Sequence, residues 1–334
     1  MIKIIAEIGQ AHDGSLGMAH AYIDALAKSG VDIIKFQTHI AEAESSAFEP
    51  FRVQFSTQDA TRFDYWKRME FSLDQWKELK AHCDDLKVEF MSSPFSNAAV
   101  DLLEKVGVKC YKVGSGEVSN FLLLERIART GKPIILSSGL SSYEELDQAV
   151  TFLKEHDCDI SLMQCTTSYP TQPSEYGLNI IPVLSSRYNL PVGFSDHSGK
   201  PETSIAAAVL GAQLIEFHAV FDRAQFGPDV TSSITIDEIS QLVPAIRTIE
   251  DARNNPVISK ENDALVGLKS IFEKSLSVNK NLKQGHVLTF EDLEAKKPAN
   301  RGIAAKNFTS VIGKQLLRDM TQWSFLSEEC IYEK

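Results

Sequence analysis

Two histidines, His197 in the run Gly193-Phe194-Ser195-Asp196-His197 and His218 in Ile215-Glu216-Phe217-His218, each close a short apolar stretch. At the ends of neighbouring strands, two neutral imidazoles would suit one divalent ion of the Mn, Fe, Co or Zn kind and leave positions open for water and substrate. Taken singly, each is as readily a hydrogen-bonding group. Lys35 and Lys112 also sit inside apolar runs, with Ser115, Ser137 and Ser195 at comparable places. A lysine between Tyr111 and Val113 needs an anion if it points inward, and with the hydroxyls such a pair would hold a small dianion or trianion. The turns Gly114-Ser115-Gly116-Glu117 and Ser137-Ser138-Gly139 would let the backbone approach that ligand closely. Glu7, Glu117 and Asp229 are carboxylates able to hold sugar hydroxyls or move protons, although Asp229, in Gly227-Pro228-Asp229, reads equally well as a turn former. His12, His20, His39, His82, His156 and His286 make weaker cases, with His82 and His156 expected on solvent-facing helices.

Such residues need a frame that gathers them. Short β-prone runs at 3–8, 31–37, 88–92, 110–113, 133–137, 160–165, 192–195 and 213–218 alternate with amphipathic stretches of helical period. Several of the intervening helices run into a glycine, at Gly30, Gly107, Gly131 and Gly211, where a helix C-cap belongs. Eight such units in about 250 residues predict a closed (β/α)8 barrel of the TIM type, an α/β fold, over an open doubly wound sheet. In a barrel the C-terminal strand ends face the active site. Strands one and two deliver Glu7, Lys35 and Gln37 there; strands three and four deliver Ser92, Ser93, Lys112, Ser115 and Glu117. The later strands add Ser137, Ser138, Thr166, Thr167, Tyr169, Ser195, Asp196, His197, Glu216 and His218. Two connections exceed ordinary loops: the aromatic-rich segment 38–71, predicted to be a lid, and the turn-rich segment 166–179. The alternation stops after Asn254-Asn255-Pro256, so the chain is expected to divide into a barrel (1–255), a polar linker (256–268) and a small β-rich domain (269–334).

Composition agrees with that division, since 334 residues less a barrel leave roughly 80. Charged residues at 24% and apolar residues at 43% exclude collagenous, coiled-coil and disordered chains. A net charge of −11 argues against a nucleic-acid surface, so any anionic ligand must be held by a local cluster of cations. The five cysteines are odd in number and widely spaced, as reduced thiols in a cytoplasmic protein would be. The apolar run near Met1 is broken by Lys3 and Glu7, and no apolar window is long enough to span a bilayer. Neither secretion nor membrane insertion is expected.

A set of motifs in fixed order carries a resemblance. Glu7-Ile8-Gly9 with His12 and Gly14, KFQT from Lys35, SSPF from Ser92, YKVGSGE from Tyr111 and LSSG from Leu136 come first. CTTSYPT from Cys165, GFSDHS from Gly193, IEFH from Ile215 and GPD from Gly227 follow. Together, over almost the whole chain, they resemble the sialic acid synthase family, whose barrel precedes an antifreeze-like (SAF) domain. The resemblance implies a metal-dependent transferase of carbohydrate biosynthesis. It condenses phosphoenolpyruvate with an N-acylated amino-sugar aldehyde, N-acetylmannosamine or a diacetamido-hexose, to give a nonulosonic acid and phosphate. It implies His197 and His218 as ligands of Mn, with Mg or Co as alternatives. Lys112, Ser115, Ser137 and Ser195 would then hold the phosphate and Lys35 the carboxylate, with Ser93 where the family usually has threonine. Gln37, Glu117, Thr167, Tyr169 and Asp229 would face the substrates, and Glu7 would lie near the reacting carbons. A domain-swapped homodimer is implied too, each small domain reaching the other chain's barrel.

Departures from the family pattern fall on sugar recognition. Where the family carries an arginine in an Arg-Pro-Gly motif, this chain has Lys297-Pro298-Ala299, with Arg301 four residues on. Lysine lacks the planar fork of arginine, which leaves the sugar open. Ala11-His12-Asp13-Gly14 replaces an NHxG motif and Phe217 replaces a lysine. Two other readings compete: a Schiff-base aldolase using Lys35 or Lys112, and a non-catalytic sugar-phosphate binding protein.

Overall fold

The computed structural model describes residues 1–53, 55, 58–259 and 264–332. They form two compact units, Met1–Asn255 and Pro256–Lys334. In the first, the strands are β1 (Lys3–Gly9), β2 (Ile33–Thr38), β3 (Glu89–Pro94), β4 (Tyr111–Val113), β5 (Ile134–Ser137), β6 (Ile160–Cys165), β7 (Val192–Asp196) and β8 (Leu214–Val220). Each pairs in parallel with the next, and β1 pairs with β8 to close the ring, which makes the unit a (β/α)8 TIM barrel. A short strand that periodicity did not reveal, β9 (Ser233–Thr235), runs parallel to the end of β8. Three residues are too few to show alternation.

The helices are α1 (Leu16–Ser29), α2 (Ala41–Glu44), α3 (Arg62–Met69), α4 (Leu73–Asp85), α5 (Asn97–Val106), α6 (Phe121–Ala128), α7 (Tyr143–Glu155), α8 (Ile180–Tyr188), α9 (Pro201–Val209) and α10 (Ile236–Asn254). Local chemistry sets their ends. The Ser15 hydroxyl accepts from the Met18 N–H to start α1, and Gly30, at φ 83°, takes the left-handed turn that stops it. Ser72 with Gln75 and Ser142 with Glu145 form capping boxes on α4 and α7.

Alternation along each strand sorts side chains into two destinations. In β1, Ile4, Ala6 and Ile8 pack outward in the large core shared with the helices, whereas Ile5 faces inward. Ile5, Ile33, Met91, Ile135, Met163 and Leu214 form an apolar cluster of their own, with Cys110 packed against it. This cluster plugs the barrel interior. The residue two places on from each lies one layer nearer the C-terminal mouth.

The segment 38–71, expected to be a long loop, is instead a small packed body. Ala41, Tyr65, Trp66 and Met69 are buried together, with Phe51, Phe55 and Phe63 against them. Thr61 and Asp64 cap α3 reciprocally, and Arg68 bridges Asp13 and Asp59. Residues 54, 56 and 57 of this segment lie outside the described residues.

The second unit corrects the expected linker at its end. Residues 260–263 lie outside the described residues, but helix α11 (Ala264–Phe272) begins within the stretch read as connector. Beyond it β10 (Ser275–Val278) pairs antiparallel with β11 (Leu293–Lys296), and β12 (Gln315–Leu316) with β13 (Ile331–Tyr332). Leu276, Val278, Leu288, Val311, Leu316, Leu326 and Cys330 are buried in its core. Val287 pairs with Gln315 in an isolated antiparallel bridge.

Asp292 ties this unit's turns together. Its buried carboxylate accepts from the Thr289 N–H at 2.8 Å and hydroxyl at 2.9 Å, from His286 Nε2 at 2.8 Å and from Lys280 Nζ at 2.9 Å. Burial alone would raise its pKa, but the His286, Lys280 and Thr289 donors outweigh it and hold the carboxyl well below the usual range. A depressed folded-state pKa contributes stability above the unfolded value of about 4, lost as pH falls through the folded value. Asp292→Ala should therefore cost this unit about 2–3 kcal/mol at neutral pH. Hydrogen exchange at β10 and β11 reads the effect, and equal protection in parent and variant would contradict it. The difference between the two chains should shrink in strong acid.

Candidate active site

Taking each inward strand position two residues above the apolar plug gives Glu7, Lys35, Ser93, Lys112, Ser137, Cys165, Ser195 and Glu216. These positions line one cavity of about 520 Å³ at the C-terminal mouth of the barrel. The next inward step adds Gln37 and His218, and the connections add Ser115, Glu117, Thr167, Tyr169, His197 and Asp229. The structure thus brings together the first-unit residues assigned a catalytic, metal or substrate role, whereas Ser92, Ser138, Thr166 and Asp196, also expected at the strand ends, do not line the cavity. Lys297 and Arg301 belong to the second unit, where both are exposed; Lys297 Nζ stands 4.8 Å over the Phe272 ring.

Both lysines are buried, and each has a carboxylate of this chain beside it. Lys35 pairs with Glu7 and lies 3.6 Å from Glu216, while Lys112 lies 2.8 Å from Glu216. The sequence reading assigned Glu216 no role, and its partner is 104 residues away. Burial favours neutral Lys112, but Glu216 and Glu7 outweigh it and keep the ammonium charged. Burial likewise raises the pKa of Glu7, and Lys35, His218 and Lys112 overcome it, leaving the carboxyl ionised far below its usual range. The floor is a charge-balanced quartet. Glu216 Oε2 remains buried with no hydrogen-bond partner among the described residues.

His197 and His218 face the same space, their ring centroids 5.3 Å apart, with Tyr169 4.3 Å from His197. The Thr166 carbonyl oxygen, 3.0 Å from His197 Nδ1, fixes a proton on that nitrogen and leaves Nε2 as the possible ligand. Burial works against charge on His197, yet Cys165 and the Thr166 carbonyl push its pKa up to about 9. His218 is shifted down, because burial outweighs Glu7 and Asp229. Among the described residues no three His, Cys, Asp or Glu side chains converge on one point. Two imidazoles facing one space therefore fit an ion only where water and substrate supply its remaining ligands.

The rim comes largely from segment 38–71, which sequence reasoning marked as a lid without naming its polar residues. Glu44, Glu49, Arg52, Arg62 and Trp66 line the cavity. Arg52 donates to Asp229 at 2.6 Å and stands 4.2 Å over the Tyr169 ring. Asp229 is thus more than a turn former. Glu117 is half-buried and its pKa is raised by burial and by Glu44, against a hydrogen bond from Asn120. His39, ranked low from sequence, is buried in the wall; a signal existed, since Lys35, Gln37 and His39 continue one period-two face.

A model of the NeuB family matches residues 22–257. The chain belongs to the NeuB family. This NeuB-family chain is 33% identical to the N,N'-diacetyllegionaminic acid synthase of Campylobacter jejuni, over 93% of this chain and 94% of that one. It is 29% identical to the human N-acetylneuraminate-9-phosphate synthase, over 98% and 92%. Among solved structures, an N-acetylneuraminic acid synthetase from Leptospira borgpetersenii in complex with citrate superimposes with a TM-score of 0.71 at 29% identity, covering 80% of this chain and 90% of that one.

Gly139, packed behind the cavity residues Ser115, Cys165 and Thr167, admits no side chain without rearrangement. A Cβ on Gly139 would lie 2.5 Å from Thr167 Oγ1, 2.7 Å from Ser115 Oγ and 3.0 Å from Cys165 Sγ. The two hydroxyls can rotate away, so Gly139→Ala should fold normally while misdirecting donors from the pocket. The expected result is an unchanged melting temperature with roughly tenfold weaker phosphoenolpyruvate binding, about the worth of one lost hydrogen bond. Calorimetric titration checks it, and equal affinity would remove Ser115 and Thr167 from the binding set.

Proposed function

We propose that this NeuB-family chain condenses phosphoenolpyruvate with the open-chain aldehyde of an N-acylated amino sugar, giving a nonulosonic acid and phosphate. The observation that carries the proposal is the presence of Lys35, Lys112, His197 and His218 in one cavity. Relatives that make legionaminic acid and N-acetylneuraminate-9-phosphate support the same reaction class. Each lysine ammonium has three donors and spends only part of them on Glu7 or Glu216, so both can still reach the substrate. Lys112, with Ser115, Ser137 and Ser195, receives the phosphate, and Lys35, with Ser93, receives the carboxylate. Gln37, Glu117, Thr167, Tyr169 and Asp229 are left for the sugar.

Held this way, C3 of phosphoenolpyruvate attacks the aldehyde carbon, and the carbonyl oxygen becomes a hydroxyl with the proton that the water adding at C2 gives up. Water adds at C2, and the tetrahedral adduct loses phosphate by C–O cleavage. Glu7, ionised beside Lys35, is placed to take the proton of that water. The lysines that bound the enol phosphate then stabilise the departing dianion. His197 and His218 would hold a divalent metal, Mn with Mg or Co as substitutes, which when bound supplies Lewis-acid polarisation of the aldehyde oxygen.

A Schiff-base aldolase needs a neutral amine, and Lys112 is held as an ammonium by Glu216. Borohydride trapping of a lysine adduct would revive that reading. The second unit is proposed as an antifreeze-like domain that offers its exposed Lys297 and Arg301 to a second copy's barrel in a homodimer. A monomer with full activity, seen by light scattering, would oppose this. No helix among the described residues is long and apolar enough to cross a membrane, and the five cysteines are free, in keeping with a cytoplasmic enzyme. The deciding assay is phosphate release from phosphoenolpyruvate with Mn, using hexosamines, their 6-phosphates and diacetamido-hexoses as acceptors. No release with any acceptor would overturn the proposal.

A further inference from the structure

Behind the sugar-facing wall lies a side-chain chain that the reaction as written does not use. Glu7 Oε1 accepts from Gln37 Nε2 at 2.7 Å, which fixes the orientation of the Gln37 amide. Its oxygen therefore faces the other way, where it accepts from Gln10 and meets His39 Nε2 at 3.2 Å. On the opposite edge of the ring, His39 Nδ1 lies 2.6 Å from a Glu44 carboxylate oxygen. The Glu44 carboxylate can only accept, so Nδ1 donates to it, while Nε2 stands between the Gln37 oxygen at 3.2 Å and the Gln10 amide nitrogen at 3.5 Å, so the ring joins the two ends of the chain.

The surroundings hold the ring in place. The His39 ring is stacked between Trp66, centroid distance 3.8 Å, and Phe95, at 4.7 Å, with interplanar angles of 19° and 9°. The two aromatic faces fix the plane of the ring, and Glu44 fixes its rotation within that plane. Both His39 and Glu44 side chains are more than nine-tenths buried, so neither is a solvated surface group. The other titratable groups that face this pair are His12, Glu117 beyond Glu44, and Arg62, whose guanidinium lies 4.1 Å over the Trp66 ring.

We infer that His39, hydrogen-bonded to Glu44, is a positioning residue that locks the Gln37 amide and, through it, aims the Glu7 carboxylate. His39 lines the cavity wall, and its hydrogen-bond partners are Gln37, Glu44 and Gln10, not His197 or His218. A merely structural ring would fill the slot between Trp66 and Phe95 equally well as phenylalanine. The inference rests on the proposed condensation for its kinetic consequence only, because the state of the ring and of Gln37 can be read without turnover.

The test compares the parent with His39→Phe, Glu44→Gln and Gln37→Ala. In nitrogen-15 NMR of the full chain without substrate, the His39 Nδ1 proton should exchange slowly with water in the parent and faster in Glu44→Gln. The Gln37 carboxamide should exchange slowly in the parent and freely in His39→Phe. In phosphate release, His39→Phe should lower kcat about 10- to 100-fold with KM for phosphoenolpyruvate unchanged. Added to Gln37→Ala it should cost nothing further, as expected when one residue acts through another. A freely exchanging His39 Nδ1 proton in the parent, an equally protected Gln37 amide in His39→Phe, or independent losses in the double variant would each overturn the inference. A chain that condenses no acceptor fails the proposed function instead, while the two NMR readings still decide the role of His39.

Discussion

Lys112→Met should release phosphate on the order of 10² to 10³ times more slowly than the parent and also melt well below it. The two losses have different causes. The catalytic loss comes from removing a buried ammonium that binds and then stabilises a phosphate dianion. The thermal loss comes from Glu216, which accepts from Lys112 at 2.8 Å and already has one carboxylate oxygen without a partner. Removing one member of a buried pair costs about 3–5 kcal/mol, which for a barrel of this size lowers the melting temperature by roughly 6–20 °C. Replacing both residues, Lys112→Met with Glu216→Leu, should recover most of the stability and none of the activity. Calorimetry and a phosphate assay on the same samples separate the effects. A single variant that melts with the parent would mean that the Lys112–Glu216 pair does not hold the floor together.

His197→Ala and His218→Ala should each lower phosphate release about a thousandfold, the rate equivalent of some 4 kcal/mol of transition-state stabilisation. Their double variant should be no worse than either single one, since both would act through one ion. Chelation of the parent should reach the same low rate, and added Mn should restore the parent alone. Metal content by elemental analysis gives a readout independent of turnover. Activity within tenfold of the parent in either variant would leave the two imidazoles as hydrogen-bonding groups and favour a reaction that needs no metal.

Much of the site was legible because a strand has a period of two. Ile5 and Glu7, Ile33 and Lys35, Met91 and Ser93, Ile135 and Ser137, and Leu214 and Glu216 are all pairs in which an apolar plug residue precedes a polar mouth residue. A charged residue inside an apolar strand is visible in the sequence as an anomaly. Its partner is not: Lys112 and Glu216 meet across the barrel interior, and nothing local to either announces the other. The rim was harder still. Arg52, Arg62 and Glu49 belong to a segment whose course is set by the burial of Tyr65, Trp66 and Met69. With no regular period, a sequence shows that such a segment is aromatic but not which side it turns to the cavity. His39 lay between these cases, one period-two step past the end of β2. Helix α11 and strand β9 were missed for a different reason, namely length: nine and three residues give periodicity little room to declare itself.

The apolar plug of Ile5, Ile33, Met91, Ile135, Met163 and Leu214 makes the barrel blind at one end. Everything must then pass through a single doorway, and depth becomes sequence in time. A molecule seated on Lys35 and Lys112 has to arrive before one that lies above it against Tyr169 and Asp229. With the proposed seating of the substrates, the order should invert on the way out, the new sugar acid leaving from above and phosphate, deepest of all, last. Inorganic phosphate left behind should then compete with the next phosphoenolpyruvate and not with the next sugar.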